Sequence, residues 1–358
     1  NDSFVLFAIP PLQGQARAEA RYVNVAQRHS HYDLFGGDNN YKLGLDWQGT
    51  PGFKLRANHS TAFRVPNVPE LFGGLSEGNL ITADPCSNWS ARPASDVIRQ
   101  NCQANGVPVN YVQLGNTVLT TGGGNINLQP EDARTTTLGM VWTPAFAGGL
   151  TLTADYYYIK IENAIQSVAG STKLALCYGT PGLSHPFCDS SNFTRNPVTG
   201  EIDFLSSQPV NAASERASGV DLGLLYEFQW GQWHGSLDWD ASYLDRYDLI
   251  PYQGGPTIEY AGKTTGGRGS YAKWRSLAEL AVSQGPWSGS YSLQYIGKVD
   301  DINASPGDIG DHAPSVTYHN AMARFAFDES LSVALGIDNL FNKQAPFVQS
   351  YTDANTDT

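Results

Sequence analysis

Few residues of this chain could perform chemistry, and two short stretches could bind a metal ion. His29 and His31 are one residue apart, so in a β-strand both imidazoles would lie on one face and could bind a transition metal. A later segment carries five side chains with the oxygen ligands that Ca²⁺ prefers: Asp300, Asp301, Asn303, Asp308 and Asp311. Their spacing matches no EF-hand. We interpret the two stretches as a polar strand end and a solvated loop, and we expect neither metal nor cofactor.

Enzymatic chemistry has little support in the sequence. Residues 261–267 (AGKTTGG) resemble the end of a phosphate-binding loop, but Thr257 stands where the first glycine belongs and no strand–loop–helix pattern surrounds them. A nucleophile-elbow motif is also missing from the sequence. We therefore predict that the chain is not an enzyme.

The four cysteines form two local pairs, Cys86 with Cys102 and Cys177 with Cys188. Both pairs lie in stretches rich in Pro, Ser and Asn, and they lack the C-x-x-C or Cys/His clusters of zinc sites. We predict two disulfides that close loops in an oxidising compartment.

Aromatic side chains occupy the long irregular stretches beside Asn, Gln and Arg. The candidates for ligand contact are Trp89, Tyr111, Tyr178, His185 and Tyr252. If exposed, such side chains suit stacking on a sugar or cradling of an iron chelate. The alternative is that they pack the loops onto one another, and the sequence leaves both interpretations open.

The elements that must position these residues are β-strands. Period-2 alternation recurs along almost the whole chain, and residues 233–243 (WHGSLDWDASY) show it most clearly. Residues 149–162, 271–283 and 313–328 also predict strands. The net charge of −12 argues against a nucleic-acid partner, because nucleic acid binds basic surfaces.

The lengths of the connections between strands distinguish a membrane barrel from a soluble β-protein. Tight turns at 48–52, 144–149, 229–232, 283–286 and 328–330 alternate with long links at about 64–131, 163–213, 248–270, 299–312 and from 342 onward. In an up-and-down sheet every second connection lies on the same rim. One rim of short periplasmic turns and one of long extracellular loops is typical of transmembrane β-barrels. We predict an all-β, antiparallel, up-and-down transmembrane barrel.

One strand end is marked clearly. Residues 60–72 (STAFRVPNVPELF) alternate up to Phe63 and then contain Pro66 and Pro69, which lack the N–H that strand pairing needs. We predict that the strand ends there at the rim of long loops, with Arg64 on the polar face.

Five segments in order resemble the TonB-dependent outer-membrane transporters. They are LRANHSTAFRVPNVPELFGG (55–74), GGGNINLQPEDARTTTLGMVWTP (122–144), LTLTADYYYIKIENAI (150–165), SERASGVDLGLLYEF (214–228) and LGIDNLFNK (335–343). The resemblance implies a 22-strand barrel, of which about 12 strands are expected here, beginning with SFVLFAIPP (3–11). It also implies that residues 1–358 are the C-terminal portion of the barrel, without the plug domain, the first half of the barrel and the last strand.

The resemblance further implies an active transporter in the bacterial outer membrane. Such a protein contacts outer-membrane lipid, binds a scarce small-molecule nutrient and imports it with energy from the TonB–ExbB–ExbD complex, which acts through the plug. Ferric siderophore, haem, cobalamin and oligosaccharide are all open as nutrients. Arg64, Asn67 and Glu70 are ligand candidates, although Arg64 and Glu70 on the barrel wall are expected to contact the plug first. The alternatives are a passive porin or structural surface barrel and a soluble carbohydrate-binding β-protein.

Overall fold

The computed structural model describes residues 2–9, 21–115, 117–266 and 268–349, and its largest element is one antiparallel sheet. Twelve strands form its main path, and each pairs with the next along the chain. They are β1 (Asp2–Ile9), β2 (Arg21–Tyr32), β3 (Gly36–Thr50), β4 (Phe53–Arg64), β5 (Glu131–Trp142), β6 (Leu150–Ser167), β7 (Pro209–Trp230), β8 (Trp233–Ile250), β9 (Trp274–Gln284), β10 (Trp287–Ile296), β11 (Val316–Ala326) and β12 (Ser332–Ile337). The up-and-down order and the number of strands confirm the prediction from the sequence.

The alternation of apolar and polar residues defines the two faces of this wall. Trp47 of β3 pairs with Leu55 of β4, which in turn pairs with Met140 of β5. Side chains directly opposite one another on neighbouring strands share a face. The apolar residues therefore form continuous rows across the strands, and the charged residues between them point to the other face.

A glycine allows two charges on the polar face to meet across an intervening strand. The Arg56 guanidinium on β4 reaches Asp155 on β6, with Nε–Oδ1 and Nη2–Oδ2 distances of 2.9 and 2.6 Å. Gly139 of β5 lies between them, and a Cβ there would stand 2.0 Å from Asp155 Oδ1. Any larger residue at Gly139 would separate the pair.

The two rims of the wall differ in their connections, as the sequence predicts. Residues 51–52, 143–149, 231–232, 285–286 and 327–331 make short turns on one rim. The opposite rim carries loop 1 (65–130), loop 2 (168–208), loop 3 (251–273) and loop 4 (297–315). The connection between β2 and β3 is the exception, because it lies on the long-loop rim but spans only residues 33–35.

The long loops contain secondary structure of their own. The helices are α1 (Val68–Phe72), α2 (Val97–Ala104) and α3 (Gly170–Gly179), with 3₁₀ turns at Trp89–Ala91, Pro181–Leu183 and Pro186–Cys188. The short strands are Ser76–Ile81, Thr117–Gly122, Phe193–Arg195, Ile202–Ser206, Ile258–Glu259, Lys263–Thr265, Gly269–Tyr271, Val299–Asp301 and His312–Ala313. In the part of the chain that the structure describes, no helix has the length and apolar character to cross a membrane.

Neighbouring long loops are joined in pairs by small sheets. In the first sheet, Thr117–Gly122 of loop 1 runs parallel to Ile202–Ser206 of loop 2. In the second, Lys263–Thr265 of loop 3 runs parallel to Val299–Asp301 of loop 4. We call these two units the loop 1–2 module and the loop 3–4 module.

Candidate functional site

The candidate site is the rim of long loops, and it begins where β4 leaves the wall. The strand ends at Arg64, as predicted, and the chain then turns into the short helix α1. Asn67 caps this helix, since its Oδ1 accepts from the Glu70 N–H at 2.8 Å while its own N–H donates to Glu70 Oε2 at 2.7 Å. The sequence prediction missed the helix, although Asn followed three residues later by Glu, with Pro69 in the first turn, is a helix-start signal.

Arg64 ties the exit of β4 to the entry of β5. Its Nη1 and Nη2 donate to Glu70 at 2.9 and 3.2 Å, and its Nε donates to Glu131 Oε2 at 2.6 Å. The other oxygen of Glu131 accepts from the backbone N–H of Ile165 on β6 at 2.6 Å. One guanidinium and two carboxylates thus hold three strand ends in register.

The Glu70 carboxylate is held in its charged form. Partial burial favours its neutral form, but the Arg64 guanidinium and the Asn67 N–H outweigh that effect and lower the pKa of Glu70. Arg64, Asn67 and Glu70 therefore form one connected cluster that shapes the rim. Their predicted contact with ligand stays a prediction.

Two disulfides brace the loop 1–2 module, as the sequence predicts. Cys86 is bonded to Cys102 within loop 1, and Cys177 is bonded to Cys188 within loop 2. Cys86, Cys102 and Cys177 are buried in one apolar cluster that also contains Leu174 and Leu205. The disulfides therefore join the interior of the module and are not surface clips.

The side-chain amide of Asn101 joins helix α2 of loop 1 to loop 2. The Asn101 Nδ2 group donates to the backbone oxygens of Tyr178 and Thr180 at 2.8 and 2.7 Å, and Asn101 Oδ1 accepts from the Gly182 N–H at 3.1 Å. Asn101 is only 3% exposed. Because a buried amide without partners would be destabilising, these bonds make the two loops depend on each other.

A buried ion pair lies at the centre of the module. Arg195 of loop 2 binds Asp84 of loop 1 through both ends of its guanidinium, at 2.6 Å from Nη1 to Oδ2 and 3.0 Å from Nη2 to Oδ1. The two side chains are 6% and 0% exposed. The Asp84 carboxylate keeps the pKa of Arg195 above its ordinary value although burial acts in the opposite direction.

Three aromatic ligand candidates are buried in this module, and two of them, Tyr111 and Tyr178, contact the ion pair. Tyr111 donates from its hydroxyl to Asp84 Oδ2 at 2.8 Å, and the pKa of Tyr111 is raised by burial and by that carboxylate. Tyr178 and Trp89 are 0% and 3% exposed. Trp89, Tyr111 and Tyr178 therefore pack the two loops onto one another, which is one of the two interpretations that the sequence leaves open. A contact between these three side chains and a ligand stays a prediction.

The last two candidates lie apart from that interior. His185 of loop 2 is half-buried; its Nδ1 accepts from the Phe187 N–H at 3.1 Å, and burial lowers the pKa of His185. Tyr252 of loop 3 is also half-buried, at the turn where the Gly255 N–H bonds its backbone oxygen at 2.8 Å. The structure thus distributes the candidates over four places: the exit of β4, the interior of the loop 1–2 module, His185 on loop 2 and Tyr252 on loop 3.

The loop 3–4 module packs mainly on the wall. Tyr260 and Tyr271 of loop 3 contact Tyr247 of β8, with ring centroids 5.7 and 4.7 Å apart. Arg268 lies over the Tyr260 ring at 5.6 Å and is 3.5 Å from Glu215 of β7. These contacts join loop 3 to the ends of β7 and β8.

The acidic side chains of loop 4 accept hydrogen bonds from the backbone of their own turns and form ion pairs with neighbouring lysines. Asp311 accepts from the Gly307 N–H at 2.7 Å, and Asp300 pairs with Lys263 and Lys298 at 3.3 and 3.1 Å. Among the described residues, no group of three or more His, Cys, Asp or Glu side chains is arranged to hold a metal ion.

Sequence reasoning missed Asp84, Arg195 and Asn101, the polar residues that hold the loop 1–2 module together. Their partners lie far away along the chain, with 111 residues separating Asp84 from Arg195. Local periodicity carries no signal for such pairs. The one sequence signal for a structural role was that Asp84 stands two residues before Cys86. In the structure, Asp84 Oδ1 accepts from the Cys86 N–H at 2.9 Å.

Solved structures with a similar fold include a ferric enterobactin receptor and two siderophore receptors. The ferric enterobactin receptor PfeA of Pseudomonas aeruginosa matches 96% of this chain and 39% of its own length, at 16% identity and a TM-score of 0.63. The siderophore receptor PirA of P. aeruginosa matches 96% of this chain and 45% of its own, at 14% identity and a TM-score of 0.52. PirA of Acinetobacter baumannii matches 90% and 40%, at 13% identity and a TM-score of 0.54. The chain thus spans about two fifths of these proteins.

A family model assigns the sequence directly. The model described as "TonB dependent receptor-like, beta-barrel" matches residues 12–340. Receptors of this family are β-barrels of the Gram-negative outer membrane, so the long loops are extracellular and the soluble alternative is wrong. The chain therefore belongs to the TonB-dependent receptors and forms part of their outer-membrane β-barrel.

Proposed function

We propose that this chain supplies part of the wall and the ligand-catching loops of an active transporter. The transporter binds a scarce small-molecule nutrient outside the cell and imports it with energy from the TonB–ExbB–ExbD complex. The observation that carries the proposal is the construction of the extracellular rim, where all four long loops fold into two modules above a wall of this family. The loop 1–2 module presents a preformed surface to a ligand and the loop 3–4 module lies beside it, an arrangement that an open pore for passive diffusion does not need.

The nutrient that we propose first is a ferric siderophore. We base this proposal on the matched structures, which are a ferric enterobactin receptor and siderophore receptors. Haem, cobalamin and an oligosaccharide are the alternatives, and each would have to fit the same rim. We further propose that residues 1–358 form the C-terminal portion of a 22-strand barrel whose plug transmits the force.

The residues that we propose for ligand binding act in three ways, by contacting the ligand, by supporting the loops and by shaping the rim. His185 and Tyr252 are half-buried and offer an imidazole and a phenol to a ligand directly. Trp89, Tyr111 and Tyr178 act from beneath, because they hold the backbone of loops 1 and 2 in one shape. Arg64, Asn67 and Glu70 shape the rim where β4 passes into loop 1.

The proposal is tested by uptake in cells that carry the intact protein. ⁵⁵Fe-labelled enterobactin, haem, cobalamin and a labelled oligosaccharide are supplied in turn, with and without a protonophore that collapses the inner-membrane proton gradient. We expect one probe to accumulate only while the gradient is intact, and we expect the His185→Ala and Tyr252→Phe variants to raise its half-saturation concentration. Uptake that persists after collapse of the gradient would indicate a passive pore and contradict the proposal. So would the absence of gradient-dependent uptake for all four probes.

A further inference from the structure

We propose that His29 and His31 form a binding site for a divalent transition-metal ion such as Cu²⁺, Ni²⁺ or Zn²⁺. The site lies on the hairpin of β2 and β3 at the extracellular rim, outside both loop modules. It is independent of the proposed transport of a nutrient. The histidine pair, which the sequence alone favours as a polar strand end, has three structural features that a polar strand end does not require.

The first feature is the register of the hairpin. His31 pairs with Gly37, and His29 pairs with Asn39, so both imidazoles lie on one face with a glycine and an amide as cross-strand neighbours. Both side chains are exposed, and they lie at the long-loop end of β2. An ion can therefore approach them without any rearrangement of the wall.

The second feature is the space above Gly37. A Cβ built on this glycine would lie 2.8 Å from Cε1 and 3.2 Å from Nε2 of His29, and 3.7 Å from Nδ1 of His31. One nitrogen of each ring thus lies within 4 Å of the position that a Cβ of residue 37 would take, and glycine leaves that position without a side chain. Metal–imidazole bonds of about 2.0–2.1 Å require both nitrogens to face one ion, which rotation of the two exposed rings would bring about.

The third feature is the orientation of the His29 ring. His29 Nδ1 donates to Asn39 Oδ1 at 3.1 Å, and Gln27 Nε2 donates to the same oxygen at 3.3 Å. The Nδ1 proton is used in this hydrogen bond, and Nε2 is left available to bind an ion. Metal-bound histidines are oriented in the same way, by a hydrogen bond from the nitrogen that does not bind the metal.

The donor set selects the class of ion. Neutral imidazole suits Cu, Ni and Zn, whereas Ca²⁺ and Mg²⁺ require oxygen ligands. Two protein nitrogens leave further positions on the ion open to water or to an added ligand. Binding should follow the general order of divalent ions, with Cu²⁺ tightest and Ca²⁺ undetected.

The test is a titration of the intact, detergent-purified protein with CuCl₂, followed by calorimetry and by electron paramagnetic resonance. We expect a site with two coordinated nitrogens in the wild type. His31→Ala should weaken it by more than about tenfold, and Asn39→Leu, which frees the His29 ring, by roughly tenfold. Gly37→Ala should weaken it as much as His31→Ala although both histidines are kept, because the new methyl group fills the space between the rings.

The matched control is His234→Ala, which removes an exposed strand histidine on the opposite rim. It should leave Cu²⁺ binding unchanged. Gly37 does not have a left-handed backbone conformation, so alanine is compatible with the hairpin, and circular dichroism confirms that each variant is folded. The proposal is overturned if His31→Ala and Gly37→Ala bind Cu²⁺ as tightly as the wild type, or if the spectrum shows one nitrogen only.

Discussion

The two extracellular modules are built on opposite plans. The loop 1–2 module encloses an interior of its own, with eleven buried residues that all lie between Cys86 and Leu205. The loop 3–4 module has a smaller interior, and three of its four buried members, Ala164, Ala213 and Leu249, come from wall strands. All four cysteines belong to the first module.

The difference concerns where the stability of each module originates. Loops 1 and 2 are held by buried cross-loop bonds, such as Arg195 to Asp84 and Asn101 to Tyr178. Loops 3 and 4 are held by two- and three-residue strands and by half-exposed ion pairs such as Lys263 with Asp300. Exposed ion pairs contribute little, whereas buried satisfied networks make a structure depend on all their members. We infer that the first module is preorganised and that the second adapts its shape most easily to a ligand.

The largest expected effect comes from removal of the buried carboxylate at the centre of the first module. Asp84→Ala leaves the Arg195 guanidinium buried without its partner, and breaking a buried pair in this way is destabilising by about 3–5 kcal/mol. We expect hydrogen exchange of residues 117–122 and 202–206 to accelerate strongly while that of residues 263–265 is unchanged. The control is Asp300→Ala, whose carboxylate is 45% exposed and should matter by less than about 1 kcal/mol. Equal effects of the two variants would contradict the contrast between the modules.

The next effect comes from the disulfides. The double variant Cys86→Ser with Cys102→Ser opens a link that spans 16 residues, which should destabilise the module by about 3 kcal/mol in the chain-entropy model. Limited proteolysis should then cut loop 1 faster and leave loop 3 intact. Faster cleavage of loop 3 in this variant would show that the modules are not independent.

A pH effect tests the interior of the same module through Lys173. This lysine is fully buried, its Nζ donates to the Ser206 oxygen at 2.8 Å, and burial lowers the pKa of Lys173 to about 8. The ordinary lysine pKa is about 10.4, so between these values the unfolded chain holds a proton that the folded module lacks. The stability of the module should therefore rise with pH from about 8 to 10, by at most about 1.4 kcal/mol per unit.

The control for this pH effect is Lys173→Met, which keeps the length of the side chain and removes the charge. We expect the variant to be more stable than the wild type at pH 7, because no ammonium is then buried. The rise of stability between pH 8 and 9.5 should also disappear. An unchanged slope in the methionine variant would assign the pH dependence to another group.

The smallest effect is expected in the second module. Arg268→Ala removes a half-exposed ion pair with Glu215 and a contact with the Tyr260 ring. The loss should be about 1 kcal/mol or less, and exchange should accelerate only near residues 258–271. A loss as large as that of Asp84→Ala would remove the contrast between the modules.

The sequence predicts the wall far better than the modules. Strands such as 233–243 alternate with period 2, and prolines at positions 66 and 69 mark a strand end, so local pattern alone defines the wall and its rims. The disulfides were predictable because each pair is close along the chain. The burial of Trp89 and Tyr178 could not be predicted from the sequence. It results from the docking of loop 1 on loop 2, which no local pattern encodes.

The histidine pair also has features that local sequence does not predict. Sequence spacing placed His29 and His31 on one face, but the space above Gly37 and the hydrogen bond from His29 to Asn39 depend on the register of β2 with β3. A one-residue change of register would move each side chain to the other face and remove both features.

Native-state hydrogen exchange of the intact protein in detergent tests the central claim most directly, namely that the first module is preorganised and the second is not. We predict that backbone amides of Val97–Ala104, Thr117–Gly122 and Ile202–Ser206 exchange slowly without any ligand. Amides of Lys263–Thr265 and Val299–Asp301 should exchange much faster, because their short strands pack on the wall with little interior of their own. Equal protection of the two modules, or faster exchange in loops 1 and 2, would contradict the account.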